Sequence, residues 1–236
     1  MQLFYAPDLI RGIHILPQEE SHHCIHVLRH KQGDTIHIID GVGHFYRAVI
    51  TNAHLKQCAF EIQEITPSDQ EPAVNIHIAV APTKNIDRWE WMLEKTTELG
   101  VSQITPLMTK RTERQHLRTD RLQKIIVAAT KQSIKASIPL LHPLTDYTRF
   151  ISEQALLPNQ QKLIAVIDRN NKHLWQVYSK GENVVLLIGP EGDFTPDEME
   201  LAYQNKFEPV SLGRSRLRTE TATIAACHIV NVLNEL

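Results

Sequence analysis

Two short stretches of the sequence combine residue types that could hold a ligand and act on it. The first, at 188–192, reads IGPEG and follows the apolar run VVLL. Its two glycines allow the main chain to approach a ligand closely or to adopt a positive φ, and Pro190 stiffens the turn. The spacing matches neither GxGxxG nor GxxxxGK[ST], so a dinucleotide or triphosphate site is not indicated. A tight strand-to-helix turn without a ligand explains the residue types equally well.

The second stretch, at 211–226, reads SLGRSRLRTETATIAA and places three arginines just before an expected helix. The start of that helix, for which Thr219 is the expected cap, adds free N–H groups and a partial positive charge. This makes the stretch the strongest local anion site in the sequence. Arginines on a solvated loop are the alternative interpretation.

The elements around these stretches alternate between strand and helix from Ala73 onward, which predicts an α/β fold with a parallel sheet covered on both faces. Ligands bind at the carboxyl ends of strands in such sheets, where both stretches would lie. Asp87, Thr195 and Thr219 are the expected caps of three helices. The expected strands are 74–82, 104–109, 163–168, 184–188 and 208–213, and further helices are expected at 119–135 and 171–178.

The first 68 residues have a different pattern. Apolar and polar residues alternate at 35–40, 44–53 and 57–65, as in neighbouring β-strands, and 17–30 is helix-like. This predicts a small β-barrel domain over residues 1–68 with a short helix. The polar, proline-bounded stretch that follows predicts a linker to a second domain over residues 73–236.

Composition excludes several classes of protein. The chain has 236 residues, of which 42% are hydrophobic, enough for one large or two smaller cores. No apolar run approaches the roughly 20 residues that span a bilayer, and the first ten residues do not resemble a secretory signal. Three scattered cysteines suggest reduced thiols and a cytoplasmic protein. The net charge of −2 means that an anionic partner must meet local basic clusters.

Together, IGPEGDF at 188–194 and LGRSRLRTETA at 212–222 resemble the signature of the uridine-N3 methyltransferases of small-subunit (16S) ribosomal RNA, the type E enzymes of the SPOUT superfamily. The resemblance covers nearly the whole chain, and LRTETA is a specific motif. Other pieces of the family pattern follow in order: HHCIHVLRHKQGD at 22–34, IIDG at 38–41, K-x-x-x-R at 84–88, EKTTELGV at 94–101, Arg111 and Arg114, and QSIKASIP at 132–139.

The sequence departs from the family pattern at a few positions. Asp193 stands where a second glycine is common, Lys131 where a glutamate is usual and Lys135 where an arginine is usual. The stretch Arg214-Ser215-Arg216 replaces the more common proline-arginine-isoleucine. These departures affect the expected RNA contacts more than the expected cofactor pocket.

The resemblance implies a SPOUT-type sheet with a trefoil knot and an N-terminal PUA-like β-barrel that binds RNA. It also implies S-adenosylmethionine as cofactor, no metal, no membrane, ribosomal RNA or the assembled small subunit as partner, and a homodimer formed through the C-terminal domain. The implied cofactor-binding residues are Ile188, Gly189, Pro190, Gly192, Leu212, Gly213, Leu217, Thr221 and Ala222.

Methylation at N3 of uridine requires that this nitrogen lose its proton, either to a base or with a cation stabilising the resulting anion. Arg218 is the expected cation, and Glu220 and Glu191 are the candidate bases. Glu220 could instead complement the helix dipole, and Glu191 could have a structural role in its turn.

Basic residues along the chain are candidates for contact with RNA phosphates, although each could be an ordinary solvated charge. Trp91 is interpreted as a residue of a subunit interface. Two other functions stay open: a related SPOUT enzyme that methylates a ribose hydroxyl or another base, and a non-catalytic RNA-binding protein, which would bind no methyl donor. The candidate RNA-binding residues are Arg29, Lys31, Lys84, Arg88, Arg111, Arg114, Arg214 and Arg216.

Overall fold

The computed structural model describes residues 1–69, 72–168 and 170–236. The chain forms two compact units, one containing residues 1–69 with 127–138 and the other containing 72–126 with the described residues after 138. Each unit has its own apolar core.

The N-terminal unit is built on a four-stranded sheet in the order β1-β2-β3-β4. The first pair of strands is parallel and the other two pairs are antiparallel. A short helix, α1 (Gln18–His22), continues as a π-helical turn at His23–Val27. Apolar side chains on one face of the sheet form the core with Cys24, which confirms the expected β-rich unit with a short helix. The strands are β1 (Leu3–Tyr5), β2 (Thr35–Ile39), β3 (His44–Asn52) and β4 (Ala59–Pro67).

The turn between β2 and β3 is organised by the buried carboxylate of Asp40. It accepts hydrogen bonds from the main-chain N–H groups of Val42 and His44 and from the Tyr46 hydroxyl. Gly41 has a φ of 85°, and a Cβ there would lie 2.9 Å from the ring of Tyr5. A glycine is therefore needed at this turn for both conformation and space.

Residues 127–138 pack within the N-terminal unit, although the sequence pattern placed them in the second domain. Ala136 is fully buried in a cluster with Leu3 and Ile39. Lys131 Nζ lies 2.6 Å from Glu20 Oε1, and both side chains are largely buried. The unusual lysine at 131 therefore has a partner of opposite charge within the fold.

The second unit contains a parallel sheet in the order β11-β9-β10-β5-β6-β7, with β8 pairing in parallel with β6. The central strands β5 and β10 are buried at every position, as expected for a sheet covered on both faces. The predicted parallel α/β architecture is thus confirmed, whereas the knot stays a prediction. The strands are β5 (Ile76–Val80), β6 (Gln103–Met108), β7 (Leu140–Leu141), β8 (Thr145–Asp146), β9 (Gln161–Ala165), β10 (Val184–Ile188) and β11 (Glu208–Val210).

Three expected helix caps have different outcomes. Thr195 accepts from the N–H of Glu198, whose carboxylate in turn accepts from the N–H of Thr195, so this capping box is confirmed. Asp87 is not a cap; the Asn85 side chain accepts from its N–H at 2.9 Å. Thr219 is not a cap either, because it is the first residue of its helix. The helices are α2 (Ile86–Glu98), α3 (Thr119–Gln132), α4 (Tyr147–Ala155), α5 (Leu174–Val177), α6 (Pro196–Gln204) and α7 (Thr219–Glu235).

Helix α4 was not predicted from the sequence. The Asp146 side chain caps it by accepting from the N–H of Arg149 at 3.0 Å. Within the helix, the side chains of Phe150 and Ile151 are buried. An aspartate four residues before an apolar pair is the signal that could have identified this short helix.

None of the helices in the described ranges combines the length and the apolar character that crossing a bilayer requires. Over the same residues, no group of three or more histidine, cysteine or acidic side chains could hold a metal ion. The three cysteines are buried.

Candidate active site

A cavity of about 590 Å³ lies where β9 and β10 end and α7 begins. Its floor includes Ile188, Gly189 and Pro190 from the turn after β10, and the loop 212–218 completes it. Its position at the carboxyl ends of adjacent parallel strands is where ligands bind in sheets of this kind. The volume falls within the range of small-molecule sites.

The turn at the floor of this cavity is tight. The N–H of Asp193 donates to the carbonyl oxygen of Pro190 at 2.9 Å. Asp193 has a φ of 62°, a left-handed conformation that glycine adopts without strain and that aspartate tolerates better than most residues. Its carboxylate accepts from the N–H of Phe194 at 2.8 Å. The conformation accounts physically for the compatibility of glycine and aspartate at this position.

Gly189 and Gly213 keep two sides of the cavity free of side chains for different reasons. A Cβ on Gly189 would lie 3.2–3.3 Å from atoms of Asp193 and Phe194, so any larger residue would disturb the turn itself. Gly213 has a φ of 123°, which side chains other than that of glycine rarely allow. At both positions the main chain itself, without a side chain, therefore lines the cavity.

The start of α7 is attached to the turn after β10. The hydroxyl of Thr219 is buried and donates to the carbonyl oxygen of Gly189 at 3.0 Å. Arg218 occupies the N-cap position, and among the described residues no side chain caps the first turn. The hydroxyl of Thr219 thus joins the two chemically distinctive stretches of the sequence.

Most of the predicted cofactor-binding residues line this one cavity. Gly192 and Thr221 do not: Thr221 lines a neighbouring cavity, and the carbonyl oxygen of Gly192 accepts a hydrogen bond from Arg111 Nη1. A Cβ on Gly192 would meet the flexible Arg111 side chain rather than a ligand. The predicted residues in the lining are Ile188, Gly189, Pro190, Leu212, Gly213, Leu217 and Ala222.

The three candidate catalytic side chains have different surroundings. Arg218 lines both cavities. Glu220 is 6% exposed, and its Oε1 lies 3.8 Å from Arg88 Nε. Glu191 borders the first cavity, and its carboxylate accepts from the main-chain N–H of Lys84 at 3.0 Å, which gives it a structural role.

Several of the predicted RNA-binding residues hold loops around the site. Arg114 donates to the carbonyl oxygen of Lys84 at 2.8 Å, and Lys84 Nζ forms an exposed 2.9 Å ion pair with Glu113. Arg216 lies 3.4 Å from the carbonyl oxygen of Glu191. Main-chain contacts of this kind fix loop positions whether or not RNA is bound.

Of the remaining predicted RNA contacts, Arg29, Lys31 and Arg214 are exposed and Arg88 is partly buried. Arg214 and Arg216 line the first cavity and Arg88 lines the second. Arg29 and Lys31 lie in the N-terminal unit, where Arg29 has a φ of 61°.

Sequence reasoning missed the segment that follows β9. Residues 165–168 form one wall of the first cavity, with Asp168 contributing a carboxylate. The strand had been predicted, and an acidic residue at its carboxyl end was the available signal. Asp193, Ser215 and Thr219 also lie in the lining without having been predicted there.

Comparison with known proteins is consistent with this geometry. Residues 70–231 match the family model of an RNA methyltransferase domain, and residues 16–63 match that of an RNA methyltransferase PUA domain. A curated relative from Synechocystis, named ribosomal RNA small subunit methyltransferase E, is 31% identical over 242 residues, which cover 99% of this chain and 78% of the relative. The chain belongs to the ribosomal RNA small subunit methyltransferase E family of RNA methyltransferases.

Solved structures from this family of methyltransferases have the same fold. A probable rRNA-methyltransferase from Porphyromonas gingivalis is 40% identical with a TM-score of 0.92, and the match covers 100% of this chain and 99% of that one. A ribosomal RNA small subunit methyltransferase E from Neisseria gonorrhoeae, bound to S-adenosyl methionine, is 29% identical with a TM-score of 0.85 and coverages of 96% and 95%. The N-terminal PUA assignment and the parallel α/β assignment are thereby confirmed.

Proposed function

We propose that this chain transfers a methyl group from S-adenosylmethionine to N3 of a uridine in small-subunit ribosomal RNA. The observation that carries the proposal is the cavity walled by the bare turn at Gly189 and by Gly213, with Arg218 at its edge. Family membership supports RNA methylation as the class of reaction, and the choice of uridine N3 comes from the IGPEGDF and LRTETA motifs.

The residues of the first cavity fit S-adenosylmethionine. Ile188, Leu212 and Leu217 offer apolar contact to a purine ring, and bare main chain beside them offers N–H and C=O groups to its edge. Asp168 and Asp193 contribute carboxylates that can accept from ribose hydroxyls or an ammonium group. When bound there, the cofactor supplies an electrophilic methyl group that is passed to N3 as the carbon–sulfur bond breaks and a neutral thioether is released.

The protein's own task is to make N3 nucleophilic and to align it. In this mechanism the guanidinium of Arg218, which lines both cavities, stabilises the negative charge that develops on the uracil oxygens when the N3 proton leaves. The carboxylate of Glu220, which lines the second cavity, is the proposed acceptor of that proton. Glu191 is the weaker candidate because its carboxylate already accepts from the Lys84 main chain.

The proposal includes partners and cellular location. The PUA domain would bind ribosomal RNA, alone or in the small subunit, with Arg29 and Lys31 facing phosphates. The buried thiols of Cys24 and Cys58 are compatible with a cytoplasmic protein. A homodimer through the C-terminal domain would cover apolar side chains of α7 that are only partly buried, such as Ile224 and Ile229.

The test is mass spectrometry of ribosomal RNA nucleosides from cells that lack the protein, followed by methylation of that RNA with purified protein and labelled donor. We expect 3-methyluridine to be lost from the small-subunit RNA and restored in vitro. Restoration of a 2′-O-methyl or a different base methylation instead would identify another acceptor, and absence of donor binding by calorimetry would point to a non-catalytic RNA-binding protein. Sedimentation of the purified protein as a monomer would contradict the proposed dimer.

A further inference from the structure

A second cavity, of about 600 Å³, adjoins the first and has no assigned role. The two cavities share one wall, made by Arg216, Leu217 and Arg218. A methyl group passes directly between two molecules in contact, so the acceptor of a donor bound in the first cavity must lie in space that adjoins that cavity. The second cavity is open toward solvent, as access by a large substrate requires.

One side of the second cavity presents an exposed aromatic side chain. Helix α2 buries Trp89 completely in the core, but two residues later the indole of Trp91 is 47% exposed and lines the cavity. An indole stacks on a nucleobase irrespective of base identity, and such stacking is a common way to hold an unpaired base. Trp91 therefore offers a flat apolar surface for a base.

The other side of this cavity is charged. Glu220 is 6% exposed, with Arg88 Nε 3.8 Å from its Oε1, and Arg218 lines the same cavity. Two guanidinium donors and one carboxylate acceptor complement the edge of uracil, where two carbonyl oxygens accept and N3–H donates. Cytosine presents an unprotonated N3 to the same carboxylate, so it matches poorly. Arg88, which the sequence suggested as a phosphate contact, is thus available to read a base edge.

We propose that the second cavity is the acceptor-base pocket, in which Trp91 stacks on the target uracil while Arg88 and Glu220 recognise its edge. This inference rests on the proposed function and extends it by naming the residues that hold and select the acceptor. It replaces the interpretation of Trp91 as a subunit-interface residue.

The first experiment compares Trp91→Ala and Trp91→Phe in steady-state methylation of RNA. Loss of the stacked ring should lower kcat/KM for RNA by about tenfold or more, mainly through KM, while the phenyl ring of Trp91→Phe should recover most of it. The affinity for S-adenosylmethionine should stay unchanged in both variants. Trp175→Ala is the matched control, since Trp175 is 56% exposed on α5 and lines neither cavity. Normal RNA kinetics for Trp91→Ala would overturn the proposal.

The second experiment does not depend on activity. A short uridine-containing RNA should quench the tryptophan fluorescence of the wild type and of Trp175→Phe, but not that of Trp91→Phe. Replacing the target uridine by cytidine should weaken the quenching. Equal quenching in all three proteins would overturn the proposal. So would a change in sedimentation of Trp91→Ala, which would return Trp91 to a subunit interface.

These outcomes separate the two hypotheses. If the wild type methylates an atom other than uridine N3, the proposed function fails. Quenching that requires Trp91 would still support the pocket as the place where the acceptor base lies. If instead the wild type forms 3-methyluridine and the Trp91 variants behave as the wild type does, only the pocket assignment fails.

Discussion

The hydroxyl of Thr219 donates a 3.0 Å hydrogen bond to the carbonyl oxygen of Gly189, which joins the first residue of α7 to the turn after β10. Both groups are buried, so water cannot replace the bond. The arginine-rich loop ends at Arg218, directly before Thr219, and its position is therefore tied to the floor of the cavity. This contact makes one site out of two segments that are 30 residues apart in the sequence.

Thr219→Val should weaken this connection while keeping the shape of the side chain. Leaving the Gly189 carbonyl without its buried donor should lower the free energy of unfolding by about 1–2 kcal/mol and reduce the affinity for S-adenosylmethionine. Thr219→Ser keeps the hydroxyl and is the control. Urea unfolding and calorimetry measure the two effects, and equal donor affinity in both variants would show that the turn holds its position without the bond.

Arg218→Ala should strongly reduce methylation and leave donor affinity nearly unchanged. Removing a cation that acts on charge developing during the reaction should lower kcat by about 10²–10³-fold. Arg118→Ala removes another exposed arginine, one paired with Asp120 outside both cavities, and should behave as the wild type does. Single-turnover methylation with saturating donor measures the effect; a fully active Arg218→Ala protein would remove this residue from the mechanism.

Gly189→Ala should weaken donor binding by distorting the turn, not by contacting the donor. Its Cβ would press against side-chain and main-chain atoms of Asp193 and Phe194 at 3.2–3.3 Å, and overpacking of this kind costs about 1–3 kcal/mol. Gly192→Ala is the matched control three residues away, because its Cβ meets only the flexible Arg111 side chain. Calorimetric titration with S-adenosylmethionine should therefore separate the two variants. If Gly192→Ala loses more affinity than Gly189→Ala, the assignment of the cavity floor is wrong.

The sequence predicted those features that depend on local pattern. Strands β5 and β10 consist mainly of apolar residues and were identified, and the capping box at Thr195 followed from residue types three positions apart. The contact between Thr219 and Gly189 could not be predicted, because it depends on which strands are neighbours. The position of Asp193 was noticed as a departure from a family pattern, but its left-handed conformation became apparent only in the structure.

The stacking of buried His77 on His142 is another feature that the sequence did not reveal, and it predicts pH dependence. His77 stacks on His142 with ring centroids 5.3 Å apart, and its Nε2 lies 2.8 Å from Thr105 Oγ1. Burial, with a smaller contribution from the charge of His142, lowers the pKa of His77 from 6.5 to about 3. Phe150 makes a T-shaped ring contact with His77. Burial lowers the pKa of His142 as well, while the negative charge of Glu153 partly offsets this by raising it.

The sign of the effect follows from proton binding. Between the two pKa values the unfolded chain binds a proton at His77 that the folded protein does not, so stability is fully present above about pH 6.5 and declines as the pH falls. The loss should reach about 2 kcal/mol at about pH 5. His77→Gln should flatten the decline relative to the wild type, and His116→Gln, at an exposed histidine, should not. Urea unfolding from neutral to acidic pH measures the difference, and parallel profiles for the wild type and His77→Gln would contradict it.

The ion pair between Lys131 and Glu20 predicts that removing or reversing either charge will destabilise the protein. The two atoms are 2.6 Å apart, with side-chain exposures of 18% and 13%. Lys131→Met should leave a buried carboxylate without its cation and destabilise the protein by about 3 kcal/mol. Glu20→Gln should do the same from the other side, but less severely because an amide can still hydrogen-bond.

The double variant Glu20→Lys with Lys131→Glu should recover part of the stability lost in either single charge reversal, because it restores an opposite-charge pair and places at 131 the glutamate that the family pattern favours. A double-mutant cycle by urea unfolding measures the coupling free energy. Exchanging the charges of the exposed Arg149–Glu153 pair, which are 73% and 51% exposed, is the control and should show weak coupling. If the effects of the changes at 20 and 131 on the free energy of unfolding were strictly additive, the lysine at 131 would be tolerated for a reason other than its pairing with Glu20.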